Sequence, residues 1–97
     1  MGVIEVVTLR LAPGVDEGEF LEADTEAQTE FLYLQRGMVR RTTARAEGEE
    51  WLVVTLWGTT QDADAAAEAG RKHPTVARWA ACLDPKSVVT RRYTTLD

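Results

Sequence analysis

Apolar residues along this chain recur with two different periods, and the alternation between them sets out six elements. The run VIEVVTLRLA, Val3 to Ala12, is rich in β-branched residues and stops at Pro13-Gly14, which reads as a strand closed by a turn. A helix is expected from Asp16 to Gln35, ending at Gly37, with Asp16 as N-cap and Glu19 placed as in a capping box. On it Phe20, Ala23, Ala27, Phe31 and Leu34 share one stripe, widened by Leu21 and Leu32, while Glu19, Glu22, Glu26 and Glu30 lie on the opposing flank. Asp24, Gln28 and Gln35 are polar positions inside the apolar arc. MVRRTTARAE, Met38 to Glu47, and the run beginning at Glu50 or Trp51, WLVVTLW, form an antiparallel hairpin about Gly48. A second helix starts with Thr60 or Asp62 as cap and is interrupted at Gly70 and Pro74. It resumes with Pro74 as a first helical residue, and Val76, Trp79, Ala80 and Leu83 have the spacing of one buried face. Asp84-Pro85 ends it, and SVVTRRYTT, Ser87 to Thr95, is the last strand.

The order βαββαβ is the ferredoxin-like, α+β arrangement, and right-handed crossovers give an antiparallel sheet in the order 4-1-3-2 over a single domain, residues 1–97. Strands one and three, the most apolar, are then central. Strands two and four are edges carrying Arg40, Arg41, Arg45, Arg91 and Arg92, charges that oppose edge-to-edge aggregation. Right-handed crossovers put both helices on one face. A lone sheet would show clean alternation, yet Trp51, Val53, Thr55 and Trp57 point one way and Leu52, Val54 and Leu56 the other. Strand one is similar, with Val3, Val7 and Leu9 against Ile4 and Val6. An apolar face of that size exceeds what soluble monomers expose, so a homodimer packed sheet against sheet is expected.

With these elements in place, VVTLRLAPGVDEGEFLEA, LVVTLWGTTQDADAA and HPTVARWAACLD resemble the antibiotic biosynthesis monooxygenase domain proteins of the dimeric α/β barrel superfamily. The shared features are a strand ending in Trp, a short polar turn and an alanine-rich helix, as at Trp57 to Ala67. The resemblance implies a cavity between the helices and the concave sheet of one subunit. Some relatives are cofactor-free monooxygenases of phenols or quinols and others degrade haem. The haem-degrading branch relies on an Asn in strand one and on a Trp and a His in the second helical region. This chain has no Asn in strand one, and the corresponding stretches read DADAAAEAG and RWAACL, so no haem and no other cofactor is expected.

Composition narrows the partners. A net charge of −5 argues against a nucleic-acid surface. No apolar run approaches a membrane span, and the opening residues lack a basic n-region, so a cytoplasmic protein is expected. Cys82 is the only cysteine and cannot form an internal disulfide; in an alanine-rich helix it reads as inert packing. No nucleotide loop or nucleophile elbow is present.

Two residues are candidates for catalysis. Asp24, a carboxylate in an apolar arc, is either a general base or a flank residue paired with an edge-strand arginine such as Arg40. His73, the single histidine, precedes Pro74 at a helix start and is either a base or a capping residue. It has no companions at ligand spacing, so no metal is expected. Gln28, one turn beyond Asp24, could orient a ligand oxygen, and Trp57, Trp79 and Phe31 could form the aromatic wall of a flat pocket or simply fill the core. The expected function is a small-molecule-binding homodimer acting as a cofactor-independent monooxygenase on an aromatic or polyketide-like phenol or quinol. The alternatives are a non-catalytic ligand-binding or structural dimer, or a cyclase or isomerase using the same base without oxygen.

Overall fold

A computed structural model describes all residues, 1–97. Strand β1 (Val3–Leu9) leads to helix α1 (Glu17–Glu30), the hairpin β2 (Met38–Arg45) and β3 (Trp51–Trp57), helices α2 (Thr60–Gly70) and α3 (Pro74–Ala81), and strand β4 (Val89–Thr94). Short 3-10 turns at Leu32–Leu34 and Pro85–Ser87 join them. The antiparallel sheet runs β2-β3-β1-β4, the order read from the sequence, with the two apolar strands at its centre.

Capping explains where the helices start. Asp16 accepts from the Glu19 amide at 2.7 Å, and Thr59, one residue before the expected cap, accepts from the Asp62 amide at 3.0 Å. Helix α1 stops earlier than its apolar stripe suggests. Phe31 leaves helical geometry at φ −133°, and its ring packs against His73, 4.8 Å between centroids. Strand β1 also ends early, because the Arg10 backbone carbonyl accepts from the Asp84 amide and its N–H donates to Ser87 Oγ, beyond α3. Gly37, at φ 81°, leads into β2. A Cβ there would fall 2.1 Å from Asp62 Oδ2, so only glycine admits this approach of the β2 start to α2.

Alternation divides the sheet. Val3, Leu9, Trp51, Val53 and Trp57 are buried on the helix-covered face. There they form two separate clusters. One joins Leu9, Trp51 and Val53 to Phe20, Ala23, Cys82 and Leu83; the other joins Val3 and Trp57 to Ala63 and Ala66. Phe20 and Trp51 meet edge to face at 5.0 Å, a favourable aromatic geometry. The opposite face presents Ile4, Val6, Leu52, Val54 and Leu56, only half-buried, together with exposed Val89 and Tyr93. This is the apolar second face that the sequence pattern demanded.

Candidate functional site

A single register row crosses the helix-covered face of the sheet between the two apolar clusters. Arg41 on β2 pairs with Thr55 on β3, Thr55 with Glu5 on β1, and Glu5 with Arg92 on β4. The rows on either side carry no charge and are apolar on the two central strands: Met38, Trp57, Val3 and Thr94 on one, Thr43, Val53, Val7 and Thr90 on the other. Above this polar row the helices present small residues. Beyond Ala63 and Ala66, which pack on Val3 and Trp57, Ala67 and Gly70 of α2 and Ala77 and Ala80 of α3 are too small to fill the space over the sheet, and a cavity of about 390 Å³ remains. That size is in the range of small-molecule sites.

The cavity floor carries Glu5, Thr55 and Arg41, and its walls include Phe31, Trp57 and Trp79. Three of the residues singled out from the sequence are therefore brought together. The other three, Asp24, Gln28 and His73, do not line the cavity. The α3 stripe also differs from expectation. Leu83 is buried, but Val76 and Trp79 are partly exposed and, with Ala80, face the open volume. The helix packs on the first cluster through Trp79 and leaves the space beside Ala77 and Ala80 open.

Asp24 lies directly behind this wall. Its Oδ1 accepts from Arg41 Nη2 at 2.7 Å and from Trp79 Nε1 at 2.8 Å, and its Oδ2 accepts from Thr43 Oγ1 at 2.8 Å. The ion pair is nearly solvent-free, with 3% of the Arg41 side chain and 9% of the Asp24 side chain exposed. Gln28 Oε1 accepts from Arg41 Nη1 at 3.1 Å. Asp24 and Gln28 thus fix two residues that do line the cavity, Arg41 and Trp79. The arginine that reaches Asp24 is Arg41, not Arg40, because a bulge between Met38 and Arg40 sets Arg41 on the helix-covered face.

His73 is the N-cap of α3. Its Nδ1 accepts from the Thr75 amide at 3.3 Å and lies 2.8 Å from Thr75 Oγ1, while its ring backs Phe31. Cys82 is buried with its thiol 3.5 Å from the Arg78 carbonyl. Desolvation pushes the thiol above its ordinary range, with repulsion from Glu19 adding to the rise, so it is not a poised nucleophile.

Two polar groups of cavity-lining residues were not singled out from the sequence. Trp57 Nε1 is buried and has no hydrogen-bond partner, a state that costs about 1–3 kcal/mol. Glu5 sits between Val3 and Val7, and one of its oxygens, Oε2, accepts from Arg92 Nε at 3.0 Å. Arg92 Nη1 donates to Asp64 of α2 at 2.5 Å. Hydrogen bonds to Asp64 and then to Glu5 push the guanidinium above its ordinary range, so it stays cationic. Glu5 was legible as a carboxylate in an apolar strand, a residue type that strands disfavour. No group of three metal-ligating side chains is present, and no helix is long and apolar enough to cross a membrane.

No protein-family model matches the sequence, nor does any curated protein. The fold does match solved structures over nearly its whole length. SnoaB, a cofactor-independent oxygenase from Streptomyces nogalater, superposes with a TM-score of 0.81 at 16% identity, covering 99% of this chain and 94% of that one. A protein described as an antibiotic biosynthesis monooxygenase from Bordetella bronchiseptica gives 0.80 at 13%, covering 98% and 97%. Another so described, from Caulobacter crescentus, gives 0.78 at 13%, covering 99% and 91%. This chain therefore has the fold of the antibiotic biosynthesis monooxygenase structures, the group its sequence resembles.

Proposed function

We propose that this protein is a homodimeric small-molecule enzyme that oxidises an electron-rich phenol or quinol with dioxygen and without a cofactor. The observation that carries the reading is the 390 Å³ cavity, apolar on its walls apart from Arg71 and crossed on its floor by the row Arg41, Thr55, Glu5. A flat aromatic ligand suits Phe31, Trp57 and Trp79. The similarity in fold to a cofactor-independent oxygenase supports the oxidative reading.

The chemistry balances without an added reductant. Oxidising a phenol to a quinone turns one ring C–H and the O–H into two C=O groups. One atom of dioxygen enters the ring and the other leaves as water. The residues of this chain contribute binding, orientation and exclusion of water. In this reading Asp24 and Gln28 are positioning residues that hold Arg41 and Trp79, and His73 supports Phe31 from outside the cavity.

Oxygen uptake against a panel of phenols and quinols tests this, with Ala66→Leu as the control that fills the cavity. Uptake by the parent that disappears in the control is expected. Equal rates in both proteins would refute the cavity as the site of reaction, and ligand binding with no uptake for any substrate would favour a non-catalytic binding dimer. The dimer is argued separately, from the outward face of Ile4, Val6, Leu52, Val54 and Leu56, which a second copy would cover. Val54→Arg, at the centre of that face, should convert a two-chain particle to one chain in sedimentation. A parent that sediments as one chain refutes the pairing.

A further inference from the structure

We propose that Glu5 is the group in the cavity that accepts the proton of a ligand hydroxyl, an assignment that rests on the cavity's being the ligand site. Oxidation of a phenol by dioxygen begins by raising its electron density, and loss of the hydroxyl proton does this. The base must therefore touch the ligand. The two carboxylate or imidazole candidates read from the sequence do not line the cavity: Asp24 has both oxygens occupied, by Arg41, Trp79 and Thr43, and His73 Nδ1 is engaged by Thr75. Glu5 does line it.

The surroundings of Glu5 are those of a held carboxylate with one oxygen to spare. It projects from the middle of a central strand, between Val3 and Val7 on the same face, and 23% of its side chain is exposed. Arg92 Nε holds Oε2, while Oε1 makes no hydrogen bond within the chain. Asp64 takes another nitrogen of the same guanidinium, so two carboxylates share one cation and the trio keeps a net negative charge beside the cavity. Thr55 stands directly opposite Glu5 across the β1–β3 pair, and Trp57 lies two residues further along β3 on the same face. A hydroxyl donating to Glu5 Oε1 thus lies near the Thr55 side chain, which can hold a second ligand oxygen. In the step itself the ligand O–H bond breaks, its electron pair stays on the ring oxygen, and Oε1 takes the proton. A Glu in a strand otherwise built mostly of Val, Ile and Leu gains little from packing there, and a purely structural partner for Arg92 would not need to face the cavity.

The test uses two probes of one size. Naphthalene has no hydroxyl, whereas 2-naphthol has one and, when excited, surrenders its proton to a neighbouring base and emits as naphtholate. The parent should bind both, bind 2-naphthol roughly tenfold more tightly, and show naphtholate emission from the bound probe. Glu5→Gln should bind naphthalene as the parent does, lose the tenfold preference, and emit from the neutral naphthol. Glu5→Val, which matches its neighbours on the strand, should behave the same way if the amide variant does not fold. Variants that keep both the preference and the naphtholate emission overturn the assignment while leaving the cavity as a binding site. A parent that binds neither probe overturns the cavity reading, and the assignment with it.

Discussion

Replacing Asp24 by alanine should cost this protein a large part of its stability. The carboxylate accepts from Arg41, Trp79 and Thr43 at 2.7–2.8 Å. Only 3% of the Arg41 side chain is exposed, so removing its counter-ion strands a charge that water cannot reach. The remaining bonds, to Gln28 at 3.1 Å and a long one to Thr43 at 3.4 Å, are to neutral groups. Breaking a buried pair by deleting one partner costs about 3–5 kcal/mol, against a total of ~5–15 kcal/mol for a whole domain. With a urea slope of about 1–2 kcal/mol per molar, the unfolding midpoint should fall by roughly 1.5–5 M, measured at fixed protein concentration because an associating protein gains apparent stability from its partner. The paired replacement Asp24→Leu with Arg41→Met removes both charges and should recover the part of the loss that comes from the stranded cation, while Trp79 Nε1 and Thr43 Oγ1, left without their acceptor, should keep it at least about 1–3 kcal/mol below the parent. A single Asp24→Ala variant that loses less than about 1 kcal/mol, or a double variant as unstable as the sum of its singles, would show that the pair is not desolvated as described.

Three further outcomes follow from the same geometry. Ala66→Leu adds apolar volume to the cavity beside Trp57, so differential scanning calorimetry should find a gain of about 1 kcal/mol, or roughly 4–8 °C in Tm, and a fall would mean that the space is already filled. Gly37→Ala, at φ 81° and aimed at Asp62, should lose more than about 1 kcal/mol in the same assay. Because burial holds the Cys82 thiol above its ordinary value near 9.0, its neutral form is favoured by folding. That contribution is complete below about pH 9 and is lost as pH rises through the folded value. Cys82→Ala should therefore flatten the decline in stability on the alkaline side, and an unchanged slope would refute the assignment.

The elements, their order and the sheet order could be read from the chain because each rests on local signals. Trp51 to Trp57 runs as a strand with those ends, Asp16 caps α1, and Pro74 opens α3. The boundaries that shifted did so where a distant segment intervened. The Asp84–Ser87 segment ties down Arg10, and Phe31 breaks α1 to pack on His73. The polar residues were harder to assign. Asp24 was visible as a carboxylate in an apolar arc, but its partner was not, since a bulge at Val39 decides that Arg41 and not Arg40 faces inward.

By itself the sequence determined the βαββαβ order, the two apolar faces of the central strands and the aromatic residues available to a pocket, because hydrophobic periodicity and capping act within a few residues of themselves. Only the tertiary structure decided which polar groups meet. The register of four strands aligned Arg41, Thr55, Glu5 and Arg92 in one row, although they lie in four separate segments of the chain. The same packing set the alanine faces of α2 and α3 over that row and left the space between them open. Strand register and helix placement depend on contacts summed over the whole fold, so no short stretch of the chain encodes them.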